Sequence, residues 1–217
     1  MELEYLKSVA EKYNHPEILV FKNLSTGHYV VNLLPYEKEF SNRPINYLEI
    51  GIFRGKSVCW ILDRFAVHPQ TVAYCIDPWD LAEGFYDSKT YRKQVLIKKM
   101  TKLQKVYGSR MKMFKGFSER VLRSTSDFKP NMMDLIYVDG KHRAQNVIQD
   151  WVLSWPLLKI GGITVFDDYT WEETDEVQKA TDFILYSIGE IAEGRCKRQS
   201  SYELLFKNKQ LGIRKIR

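Results

Sequence analysis

The stretch from Asn46 to Trp60 limits the fold more than any other part of the chain. Tyr47, Leu48 and Ile50 make a short apolar run of the kind that forms a buried strand. Gly51 and Gly55 interrupt it, and helical spacing resumes at Val58, Ile61, Leu62 and Phe65. Strand, glycine-bearing turn and helix in that order open a β/α unit. Glycine lets a ligand approach the main chain closely and tolerates unusual backbone angles. The helix N-terminus behind the turn offers free N–H groups and a partial positive charge. The dinucleotide-binding pattern of two glycines one residue apart fails here, because Phe53 stands where the second glycine would be. An ordinary strand-to-helix turn with Ser57 as a cap would use the same residues.

The unit recurs along the chain. The run from Thr71 to Ile76 ends at Asp77, and Met111–Lys115 leads into Gly116-Phe117-Ser118 and a helix. Met132–Val138 ends in Asp139-Gly140-Lys141-His142, and Ile163–Phe166 ends in Asp167-Asp168-Tyr169. Helical spacing covers Tyr91–Val106 and Thr174–Ile188, and Val147, Ile148, Trp151 and Val152 mark one face of a further helix. Pro156, Leu157 and Leu158 close that helix, and Gly161-Gly162 punctuate before the fifth strand. Two β-rich runs around Asn208-Lys209 predict a terminal hairpin. The alternation predicts one three-layer α/β/α sandwich with a mostly parallel seven-stranded sheet and an antiparallel terminal hairpin. Residues 46–217 form that domain. Residues 1–45 precede it, with a helix over Glu2–Tyr13 and a lid-like irregular stretch over Ile18–Tyr36.

In an open α/β sheet, ligands bind beyond the carboxyl ends of the strands. Asp77 ends the second strand, where a carboxylate can accept both hydroxyls of a ribose; it can equally open the turn at Pro78. Asp139, Asp167 and Asp168 end the fourth and fifth strands, and carboxylates converging there repel unless a cation joins them. Oxygen ligands of this kind suit magnesium or calcium. His142 is a candidate base at neutral pH. In the alternative, Asp139 and His142 cap the next helix and Asp167-Asp168 begin a loop, while Ser118 is a helix cap. Trp79, Phe85, Tyr86 and Tyr91 either stack on a ligand ring or pack their loop onto the body.

The string Leu48-Glu49-Ile50-Gly51-x-x-x-Gly55-x-Ser57 resembles motif I of class I S-adenosylmethionine-dependent methyltransferases, in the form found in catechol O-methyltransferase-like enzymes. The pairing of Val138-Asp139-Gly140-x-His142 with Phe166-Asp167-Asp168-Tyr169 is similar to the metal-dependent members of the catechol and macrolide-sugar types. The resemblance covers roughly Tyr47 to the C-terminus and implies a Rossmann-like methyltransferase fold. It implies that Glu49, Gly51, Ile52, Phe53, Gly55 and Ser57 hold the methionine end of the cofactor. Asp77, Pro78 and Trp79 would take the ribose side, and Gly116, Phe117 and Ser118 the adenine. Asp139 would serve the cofactor, the chemistry and the metal together, with Asp167 and Asp168 completing a Mg2+ site. Catechol-type enzymes carry a lysine base where this chain has His142, which leaves the acceptor open. The expected reaction is methyl transfer to a hydroxyl of a small molecule or sugar. The alternatives are methylation of RNA without metal, and a non-catalytic binding module.

The chain has 217 residues, enough for one domain with a full core, with 44% hydrophobic and 28% charged residues. No apolar run reaches membrane-spanning length, so no membrane partner is expected. The cysteines Cys59, Cys75 and Cys196 are far apart, which fits a reducing cytoplasm. The net charge of +6 permits an anionic partner such as nucleic acid, but Lys and Arg are scattered, as on a solvated surface. The oligomeric state is open, a dimer included.

Overall fold

β1 (Asn46–Ile50) is buried on both faces, as the centre of a parallel sheet requires. In the computed structural model, which describes residues 32–79, 89–170, 174–191 and 198–217, β1 pairs in parallel with β2 (Val72–Asp77) and β4 (Met133–Val138). β3 (Met111–Lys115) lies outside β2, and β5 (Leu158–Phe166) outside β4, both parallel. β6 (Tyr202–Lys207) and β7 (Leu211–Lys215) form the hairpin, with β7 antiparallel to β5. The order β3-β2-β1-β4-β5-β7-β6 is the expected seven-stranded, mostly parallel sheet.

Successive strand residues point to opposite faces, and each face has its own core. Tyr47, Ala73, Cys75, Leu135, Tyr137 and Val165 pack on one side. They meet α1 (Glu37–Ser41), α2 (Lys56–Trp60, continued as a π-helical turn over Ile61–Phe65) and α3 (Lys89–Tyr107). Leu48, Ile50, Ile76, Ile136, Val138 and Phe166 pack on the other. There they meet α4 (Ser118–Ser124), α5 (Ala144–Ser154) and α6 (Glu176–Ile188). The three layers are those predicted.

One local expectation is corrected. Leu158 does not close the helix after β4; it opens β5, which runs through Gly161-Gly162 to Phe166. The register against β4 jumps between the pairs Met133↔Leu158 and Leu135↔Ile163. Gly161 supplies a left-handed residue for this bulge (φ +84). Of the stretch before β1, the description begins at Asn32, where Leu33 and Phe40 are buried and Phe40 stacks on Phe65 at 5.3 Å. The rest of that stretch, the helix over Glu2–Tyr13, the rings of Phe85, Tyr86 and Tyr91, and Cys196 lie outside the residues or side chains described.

Candidate functional site

The chain turns from β1 into α2 on one face of the sheet, and from β4 into α5 on the other, so a crevice opens between the two strand ends. A cleft of about 250 Å³ occupies it. Ile52, Phe53, Arg54, Lys56 and Ser57 line it from the turn after β1 and the start of α2. Tyr137 and Asp139 line it from the end of β4, and Asp167 from the end of β5.

The turn is pinned by Asp77. One oxygen of its carboxylate accepts the Phe53 N–H (3.0 Å) and the other the Trp79 N–H (2.6 Å). Phe53 and Trp79 both hold positive φ angles, +40° and +43°, which these bonds help to fix. Burial pushes the Asp77 carboxyl up, partly offset by the main-chain N–H groups of Trp79, Phe53 and Ile52. Asp77 therefore does open a turn at Pro78, and lone-pair capacity remains on its carboxylate for a hydroxyl. Trp79 is buried in the core, and its indole N–H has no acceptor among the described residues.

The two glycines answer first to the protein. Gly51 has φ +87°, and a Cβ there would lie 2.5 Å from the Asp139 carbonyl carbon and closer still to its oxygen. A Cβ on Gly55 (φ +71°) would meet Leu103 Cδ1 at 2.8 Å. Glycine at position 51 is what lets the ends of β1 and β4 close together beneath the cleft.

Glu49 lies under the cleft wall and is wholly buried. Its oxygens accept the Tyr47 hydroxyl (2.6 Å) and the Ser57 hydroxyl. Burial raises its carboxyl to about 7, although the two hydroxyls pull the other way. Ser57 is thus a partner of Glu49 rather than a helix cap; Gly55 occupies the cap position, without a side-chain bond. Gly116, Phe117 and Ser118 follow β3, two strands from β1, and do not line the cleft itself. Ser118 does not cap α4 with its side chain; its hydroxyl donates to the buried Asp150 of α5. Burial raises Asp150 to about 6. The Lys141 ammonium sits 4.9 Å from the ring centre of half-exposed Phe117.

At the other end of the cleft, Asp139, His142 and Asp168 come together. His142 Nε2 is 3.3 Å from Asp139 Oδ1 and 3.4 Å from Asp168 Oδ2, and one donor atom from each residue lies within 4.8 Å of the other two. Burial and the charges of Asp167 and Asp168 push the Asp139 carboxyl up, against the pull of His142. For His142, burial lowers the pKa, but the hydrogen bond and charge of Asp139 and the charges of Asp168 and Asp167 raise it further, so the net shift is upward. Asp167 is differently placed. Its Oδ2 accepts the Tyr137 hydroxyl (2.6 Å); its Oδ1 accepts the Gln210 amide (2.9 Å) and the Asp168 N–H (2.9 Å). Gln210, fully buried in the β6–β7 turn, also donates to the Tyr137 hydroxyl (2.6 Å) and is held by Asn32 Nδ2 (2.9 Å).

Several residues of this site escape sequence reasoning. Tyr137 carried a signal, a hydroxyl two residues before Asp139 within the apolar run Leu135–Val138. Asp150 carried another, three residues after Val147 on the apolar helix face. Gln210 and Asn32 carried none, since chain folding alone brings them to Asp167.

In doubly wound sheets ligands bind in the crevice at the topological switch point, where this chain has its polar cleft. A family model described as a methyltransferase domain matches residues 48–169, more than half of the chain. The chain belongs to this methyltransferase domain family. A relative from Acanthamoeba polyphaga mimivirus, the uncharacterized protein R132, is 29% identical over 131 residues, 60% of this chain and 54% of that protein. Among solved structures, the MycE methyltransferase from the mycinamycin biosynthetic pathway, in complex with Mg and SAH, is similar with a TM-score of 0.57 at 15% identity, covering 98% of this chain and 54% of that one. The O-methyltransferase NovP is similar with a TM-score of 0.57 at 15% identity, covering 86% and 81%. The chain thus spans about half the length of R132 and of MycE. No helix among the described residues is long and apolar enough to cross a membrane.

Proposed function

We propose that this chain transfers a methyl group from S-adenosylmethionine to a hydroxyl of a small molecule or sugar, with a divalent cation at the acceptor end of the cleft. The observation that carries the reading is the position of Asp139, which lines the cleft and also belongs to the Asp139–His142–Asp168 cluster. A donor in the cleft and an acceptor at the cluster would therefore be neighbours. MycE, of the same fold, was solved with both Mg and SAH.

The residues present suit both groups. The turn after β1, the Asp77 carboxylate and Glu49 behind Ser57 give a cofactor with a ribose and an ammonium group acidic and main-chain partners. Gly116 to Ser118, at the next strand ends but one, are offered as adenine contacts. Asp139, Asp168 and His142 supply oxygen and nitrogen donors for a dication. When bound, the donor supplies an electrophilic methyl group and the cation lowers the pKa of an acceptor hydroxyl. The chain's own part is to hold acceptor and donor at one point and to exclude water between them. A hydroxyl entering at the cluster gives its proton to His142 or, if His142 is engaged elsewhere, to solvent. The two roles of His142 exclude one another, because a metal-bound Nε2 has no lone pair left for a proton.

The test is transfer of a labelled methyl group to catechol, sugar and RNA acceptors, each with and without EDTA. Label on a small hydroxyl compound, lost with EDTA, is the expected result. EDTA-insensitive transfer to RNA alone would overturn the reading; the net charge of +6 is the reason to include that arm.

A further inference from the structure

Asp139, Asp167 and Asp168 are the ligands that the resemblance implies, yet the side chains assemble a different trio. We propose that Asp139, His142 and Asp168 form a mixed nitrogen–oxygen site selective for a first-row transition dication over magnesium, with Asp167 a positioning residue outside the ligand set. The purpose of such a site rests on the methyl-transfer reading above; the ligand set rests on the geometry.

Metal–nitrogen and metal–oxygen bonds of about 2.1 Å place neighbouring donors about 3.0 Å apart in an octahedron and about 3.4 Å apart in a tetrahedron. His142 Nε2 stands 3.3 Å from Asp139 Oδ1 and 3.4 Å from Asp168 Oδ2. These two spacings fall within that range, and the Asp139 and Asp168 donors lie within 4.8 Å of one another. The three residues come from two strand ends, β4 and β5, and each side chain keeps roughly a quarter to two-fifths of its exposure, at 30%, 25% and 38%. A cation would so be reached from the cleft, with positions open to water or an acceptor.

Asp167 is more heavily engaged. Both its oxygens accept hydrogen bonds from Tyr137, Gln210 and the Asp168 N–H, and Gln210 is anchored in turn by Asn32. Oδ1 already takes two donors and could ligate a metal only by leaving one of them unsatisfied, at its desolvation cost; Oδ2 keeps one lone pair but is held in place by the Tyr137 hydroxyl. In place, Asp167 fixes the loop from which Asp168 projects. Replacing one hard carboxylate by an imidazole changes the preferred ion: carboxylate and water suit magnesium, calcium and manganese, whereas imidazole suits iron, nickel, copper and zinc, with cobalt between iron and nickel in the affinity order.

The experiment uses the full chain, freed of metal by chelator. Cobalt(II) and magnesium are titrated by calorimetry into the wild type, His142→Gln and Asp167→Asn, with folding of each checked by circular dichroism. Cobalt is expected to bind the wild type about tenfold or more tighter than magnesium. His142→Gln should lose clearly more of the cobalt affinity than Asp167→Asn, whose loss as an outer partner should be on the order of tenfold. A second readout needs no variant to fold: a hyperfine-shifted, exchangeable imidazole N–H proton in the NMR spectrum of the cobalt-loaded wild type. Loss of metal binding in Asp167→Asn, with His142→Gln unchanged and no shifted imidazole proton, would overturn the ligand set and leave metal-assisted transfer standing. Absence of specific binding by either ion, with His142 a protonated bridge between the two carboxylates, would overturn both.

Discussion

Substituting Gly51 by alanine separates two reasons for a glycine at this turn, room for a ligand and room for the protein. Three glycines form a graded series. Gly161 has φ +84° and open space where a Cβ would stand, so Gly161→Ala reports backbone strain alone. That strain is about 1–2 kcal/mol, offset by about 0.4–1 kcal/mol from the stiffer unfolded chain. Gly55→Ala, at φ +71°, adds a 2.8 Å approach to the flexible end of Leu103, which can rotate away. Gly51→Ala has nearly the same φ as Gly161, +87°, but its Cβ would lie 2.5 Å from the Asp139 carbonyl carbon and 2.9 Å from Gly140 Cα. Those atoms are main chain, and the overlap is about 1 Å, so β1 and β4 must separate at their ends. Forced overpacking costs about 1–3 kcal/mol, so Gly51→Ala should fall below Gly161→Ala by roughly 2 kcal/mol. In a domain of this size that is about 4–8 °C in melting temperature. Urea unfolding of the three variants without any ligand measures it. Equal stabilities for Gly51→Ala and Gly161→Ala, with only ligand affinity lost in the former, would refute the packing argument.

Other outcomes follow from the buried acids and their partners. Glu49 is raised from 4.5 to about 7 in the folded chain, so the fold binds the extra proton between those values and stability should fall as pH rises through that window; Glu49→Gln should flatten the slope by roughly 2–3 kcal/mol between pH 5 and 8, read from urea midpoints. Ser118→Ala removes a donor to the charged form of Asp150, so it should cost about 1–3 kcal/mol at pH 8 and clearly less at pH 5, below the Asp150 value of about 6. Gln210→Leu removes the acceptor of one Asn32 amide N–H and one donor each from Asp167 and the Tyr137 hydroxyl, and should destabilise by about 2–4 kcal/mol in the same assay. Asp77→Ala releases the Phe53 and Trp79 N–H groups and should weaken S-adenosylhomocysteine binding by on the order of tenfold or more in calorimetry.

The β/α alternation was legible because each core strand is a short apolar run and each turn carries glycine or an acid. Periodicity therefore placed β1 to β4, their helices and the hairpin within a few residues. It failed at Leu158–Gly162, where a bulged strand start looks like a helix end followed by punctuation. The carboxylates at the strand ends were legible as a group, since a parallel sheet delivers them to one edge. Which oxygens remain available was not. That depends on Gln210 and Asn32, both far from Asp167 along the chain. The role of Gly51 was also partly hidden: the sequence shows a glycine, while the reason for it is a carbonyl on β4.

Titration of S-adenosylhomocysteine into the purified chain by isothermal titration calorimetry tests the central claim most directly. A cofactor crevice between β1 and β4 predicts saturable one-to-one binding, sharply weakened by Asp77→Ala. A wild-type protein that is folded yet takes up no S-adenosylhomocysteine at millimolar concentration would contradict it.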